Sequence, residues 1–76
     1  MFNDLEIVAL RRDCAENGLL AGDTGTIVHV YADGAAYEIE FTALDGNTLA
    51  IPTLPADAVR PVRPGEIAQA RAVATA

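Results

Sequence analysis

Apolar positions along this chain recur in short alternating runs, broken by glycine, proline and aspartate, and that period-two pattern predicts strands rather than helices. The first strand is expected at Glu6 to Leu10, with Val8 and Leu10 sharing one face. Residues 11–23 form a long polar excursion with Asn17-Gly18 and Gly22-Asp23, two places where the backbone can take positive φ. Leu19 and Leu20 between them are expected to anchor it to the core as a structured loop.

The strongest signal is the run Thr24 to Tyr31, then Asp33-Gly34, then Ala36 to Phe41. Asp-Gly between two β-rich runs predicts a hairpin, because both central residues of a type I′ turn need φ > 0. With a two-residue loop, Val30 faces Tyr37, Val28 faces Ile39 and Thr26 faces Phe41 on an apolar side, while His29 lies opposite Glu38 and Ile27 opposite Glu40. A three-residue loop with a bulge at the glycine would instead set His29 against Tyr37 and Val28 against Glu38. The first register separates apolar from charged side chains better and is preferred.

A second Asp-Gly, at 45–46, leads into a strand from Asn47 to Ile51, which Pro52 should end. Leu54 to Ala58 reads as one tight helical turn, preset by Pro55, before a last strand from Val59 to Val62. The fold class that follows is all-β: a small, SH3-like, partly open barrel of about five strands with a single 3-10 turn before the last. Gly25 then has a mechanical use, since a residue without Cβ lets the backbones of a small, sharply bent barrel come close. Residues 1–62 form the barrel domain, and residues 63–76, alanine-rich and too short for a stable isolated helix, form a tail that is disordered or partly helical.

Composition narrows what such a barrel can do. The chain has 76 residues, no tryptophan, and four aromatic residues among its Tyr and Phe, so aliphatic side chains must fill one small core. Its net charge is −6, with no lysine, which makes nucleic acid an unfavourable partner and a basic protein a better one. One cysteine, Cys14, allows no internal disulfide, and no run approaches the length of a membrane span; with no basic, apolar leader at the N-terminus, a cytoplasmic location is expected. Exposed edges in so small a barrel leave room for a homodimer.

The motifs that could carry chemistry are weak. Gly22-Asp23-Thr24-Gly25-Thr26 lacks the following lysine and helix of a phosphate loop. His29 with Glu38 and Glu40 on an open sheet face makes a poor zinc site, and such a pair is more often an exposed cross-strand contact. Cys14 and His29 lack an orienting third residue, and acidic neighbours Asp13 and Glu16 disfavour the thiolate. Tyr37 and Phe41 belong to the core, leaving Tyr31 and Phe2 as free rings, too few for an aromatic cage. No enzymatic activity and no cofactor are therefore expected. The candidate partner-binding residues are His29, Tyr31, Glu38 and Glu40, on an acidic face or beside an open edge strand that could bind another protein.

The combination of an acidic residue-x-Val-x-Leu at 6–10, Gly18-Leu19, the run Gly22 to Tyr31, Asp33-Gly34, Tyr37 to Phe41 and Val59-Arg60-Pro61 resembles a family of small bacterial proteins known only as domain of unknown function number four-nine-two-six. More broadly, the plan is similar to SH3-like modules of ribosomal and transcription factors, tudor domains and the nitrile hydratase β subunit. The closer resemblance implies a stand-alone partner of a neighbouring small protein, some of them toxin-like, hence an antitoxin- or immunity-like role. The wider one implies two alternatives, a nucleic-acid-binding module and an accessory subunit of a metal enzyme. The chain departs from the family pattern at Cys14 and Ala32, where proline is frequent, and in its longer tail.

Overall fold

The computed structural model describes residues 1–73. Six short strands make one antiparallel sheet: β1 (Ile7–Leu10), β2 (Thr24–Tyr31), β3 (Ala36–Thr42), β4 (Thr48–Ala50), β5 (Thr53–Pro55) and β6 (Val59–Pro61). The ladder runs β4-β3-β2-β1-β6, with β5 also on β3, and among the described residues the helical pieces are three single 3-10 turns, the last at Ala56–Ala58 just before β6. No helix of the described residues is long and apolar enough to cross a membrane.

The core forms where alternation turns aliphatic and aromatic side chains inward. Val8, Leu10, Leu19, Ile27, Tyr37, Ile39, Phe41 and Val59 are buried together, each 2% exposed or less. Tyr37 keeps its hydroxyl satisfied by accepting the Phe2 amide at 3.0 Å, and the Phe2 ring stands edge-on to it with centroids 5.6 Å apart. Phe2 is thus a plug over one end of the core and not the free ring the sequence suggests.

The hairpin turns at Asp33-Gly34 as expected, but on a four-residue loop instead of the expected two-residue one, and it departs from expectation again farther along. Asp33 and Gly34 both have positive φ, 57° and 97°, and the Ala35 amide donates to the Ala32 carbonyl. Ala32 joins them in the positive region, so four residues separate the last pair, Tyr31 opposite Ala36. Val30 lies opposite Tyr37 and His29 opposite Glu38, as predicted. A bulge then intervenes between Ile27 and His29, and beyond it Ile27 faces Ile39 and Thr26 faces Glu40. The expected pairs of Val28 with Ile39, Ile27 with Glu40 and Thr26 with Phe41 are therefore corrected: Val28 is the extra residue and is exposed, and Ile27 is fully buried. One inserted residue inverts the alternation, which keeps Ile27 and Ile39 inside and His29 outside.

Two further corrections concern the second half of the sheet. Pro52 does end β4, but its carbonyl accepts the Ile39 amide at 3.0 Å and the chain re-pairs along β3 as β5, giving six strands rather than five. The Ala56 amide likewise donates to the Ala35 carbonyl, so Pro55, at the alternate position, points its nitrogen away from β3 at no cost to the ladder, whereas Pro52 cannot return the reciprocal bond to the Ile39 carbonyl. The helical turn expected over Leu54–Ala58 is confined to Ala56–Ala58.

The first loop is built as predicted, except that Leu20 is 46% exposed while Leu19 alone enters the core. Leu10 brackets the loop, donating to Asp23 and accepting from Gly22, and the Asp13 and Asp23 carboxylates accept the Ala21 and Leu20 amides. The residues after β6 take no helical turn among those described. They turn at Gly65, where Glu66 accepts two hydrogen bonds from the Arg60 guanidinium at 2.9 and 2.7 Å and the Arg63 amide at 2.6 Å. Those donors hold the Glu66 carboxyl down to about 2. Farther on, Arg71 pairs with Asp23 and reaches the Gly18 carbonyl at 3.4 Å, so residues 66–73 lie back across the first loop as a strap.

Candidate functional site

The sheet has an inner face that makes the core and an outer face on which the four expected residues come together. Since paired residues of neighbouring strands point to the same side, His29 on β2, Glu38 on β3 and Thr53 on β5 form one outward row. Ile7 on β1, Thr26 on β2 and Glu40 on β3 form the adjacent row. Tyr31, two residues beyond His29, completes the group.

Contacts within the group are local and polar. The His29 and Tyr31 rings meet edge to face with centroids 4.2 Å apart. The Tyr31 hydroxyl lies 3.5 Å from Glu38 Oε2, at the limit of a hydrogen bond, and Thr48 donates from Oγ1 to Glu40 Oε2 at 2.6 Å. His29 and Tyr31 are exposed, and Glu38 and Glu40 are half-buried at the surface. Among the described residues, no three of the His, Cys, Asp and Glu side chains converge as a metal-binding group. The arrangement can bind by charge, stacking and hydrogen bonding, with a pair of carboxylates beside two rings.

Alongside these residues lies an apolar margin that the sequence reading missed. Ile7 is 56% exposed, and Val28, pushed out by the bulge, is also exposed. Leu5, whose amide donates to the Ile27 carbonyl, is exposed beside the bulge and holds a positive φ of 67°. A non-glycine residue in that region is sterically costly and is retained where its surroundings dictate it. The signal for Ile7 was available, as it sits out of phase with Val8 and Leu10. The signal for Val28 was not, because a bulge leaves no composition mark in a β-branched run. Thr53 was missed with the whole of β5.

A family model described as a domain of unknown function matches residues 5–61, from the Leu5 turn to the end of β6. No curated protein and no solved structure matches the chain.

Proposed function

Since the chain belongs to the family Domain of unknown function (DUF4926), which carries no reaction with it, we propose from its outer face that it is a non-enzymatic protein-interaction module for a basic partner. The observation that carries this reading is the adjacency on one exposed sheet face of an apolar strip, Leu5, Ile7 and Val28, and an acidic, ring-bearing group, His29, Tyr31, Glu38 and Glu40. Apolar contact area bordered by polar and charged groups is the anatomy of a protein interface, and tyrosine supplies a stiff contact at low entropic cost. The net charge of −6 favours encounter with a positive surface. A toxin-like neighbour of the kind the family resemblance implies would suit this face when it is basic.

The test is a double reversal, Glu38→Arg with Glu40→Arg, in protein used as bait for its native lysate at low and moderate salt. Stability should fall by no more than about 2 kcal/mol, since the charges are at the surface and two exposed hydrogen bonds, from Thr48 and at the distance limit from Tyr31, are lost. A basic protein retained by the wild type and lost with the folded double variant is the expected result. Equal retention by both would remove this face from consideration.

A further inference from the structure

We propose that the groove beneath the C-terminal strap is a second binding site, taking an extended segment of a partner protein that carries an arginine flanked by apolar side chains larger than alanine, and that the strap is its built-in competitor. The groove lies between the first loop and the β3–β4 turn and keeps a cavity of about 720 Å3 with the strap in place. That is within the roughly 300–1,000 Å3 of sites that hold a ligand. Its inner wall is mixed, with Leu19, Leu20, Phe41, Leu44 and Leu49 beside Thr24, Thr42 and Arg60, and with Asp23 at the loop side. Leu20 and Leu44, which line this cavity together with the strap, are 46% and 82% exposed.

The strap itself defines the chemistry of the ligand and shows why it is a weak occupant. Its anchor is Arg71, paired with Asp23 and directed to the Gly18 carbonyl; the two ion-pair side chains are 23% and 24% exposed, so the charge pair is largely shielded. Burial raises the Asp23 pKa, but the Arg71 and Leu20 hydrogen bonds and the Arg71 charge outweigh it and leave the carboxyl below its usual value. Everything else about the strap fits poorly. Positions 68, 70 and 72 are alanines, and Ile67, its largest apolar side chain, is 91% exposed instead of filling the cavity. A segment with the same arginine and larger neighbours satisfies Asp23 and also fills the apolar space. The strap therefore lowers the apparent affinity by the fraction of time it occupies the groove. This site is separate from the outer sheet face, so either can fail without the other.

Fluorescence anisotropy on the full chain tests the proposal, using a labelled peptide copying residues 66–73 with leucine in place of the two alanines that flank its arginine. A control peptide has alanine in place of the arginine. Full-length protein carrying Arg71→Ala, whose strap has lost its anchor, should bind the arginine peptide about tenfold or more tighter than wild type does, and tighter than the control by at least as much. Adding Asp23→Asn should remove that preference, and Leu44→Ser, a change at an exposed groove wall, should weaken binding several-fold in a chain whose fold it does not touch. Absence of binding to Arg71→Ala, or equal binding of both peptides, would overturn the proposal. So would a wild-type dimer that the peptide dissociates, since that would give the groove to the strap of a second copy.

Discussion

Gly25→Val should lower the unfolding free energy by about 3 kcal/mol or more, and the melting temperature by on the order of 15 °C. A Cβ at position 25 would meet Ile39 Cγ2 at 2.6 Å and Phe41 Cε1 at 2.9 Å, both closer than real Cβ contacts. Neither neighbour can give way, because Ile39 is fully buried and Phe41 is 2% exposed. The β propensity gained by replacing glycine with valine is at most about 1 kcal/mol, too little to offset overpacking at this site. For a chain of 76 residues, total stability is roughly 4–11 kcal/mol, so the variant loses a large share of it. Thermal unfolding followed by circular dichroism measures the loss, and a melting temperature within a few degrees of wild type would show that strand β2 does not pack as described. Sequence reading assigned Gly25 the approach of two backbones, whereas what fills the space is the pair of side chains from β3.

Ile39→Ala should cost about 2–5 kcal/mol, since it empties the fully buried centre of the cluster formed with Ile27, Val8 and Tyr37. Its sharper consequence is coupling. The Ile39 methyl that a Cβ at position 25 would strike is removed by the truncation, so Gly25→Ala combined with Ile39→Ala should cost less than the sum of the two single changes, by about 1 kcal/mol or more. Denaturant titration of the four proteins closes that cycle. Strict additivity would separate the two residues and undo the packing of β2 against β3.

How much of this was legible in the sequence depends on what kind of signal each element leaves. Alternation and Asp-Gly are chemical marks of strand and hairpin, and so β1 to β4, the positive φ values at Asp33 and Gly34 and the pairs of Val30 with Tyr37 and His29 with Glu38 could be read directly. The final 3-10 turn and β6 were legible for the same reason, as Pro55 presets one and Val59 begins the other. β5 was hidden because Thr53-Leu54-Pro55 is short and bracketed by prolines, and only the register shows that Pro55 points its nitrogen away from β3 while Pro52 still accepts the Ile39 amide. The bulge at Val28 was hidden because Ile27 and Val28 are interchangeable by propensity, and only the demand to bury Ile27 against Ile39 chooses between them.

The candidate site divides in the same way. His29, Tyr31, Glu38 and Glu40 could be placed on one face because their polarity alternates with the apolar positions of their strands. The apolar strip beside them needed the three-dimensional register, since Val28 reads as core and reaches solvent only through the inserted residue. The strap was the least legible part. An alanine-rich tail offers no period, and the contact of Arg71 with Asp23 spans 48 positions, a separation that local pattern cannot anticipate.

The sheet register on the two sides of Val28 decides whether the acidic group and the apolar strip share a surface, and interstrand backbone NOEs in isotope-labelled protein measure it most directly. The result expected is contact of His29 with Glu38 and of Ile27 with Ile39 in the same molecule, with Val28 left unpaired between them. Contact of Val28 with Ile39 and of Ile27 with Glu40 would mean an unbroken ladder, an outward Ile27 and an inward Val28, and would contradict the account.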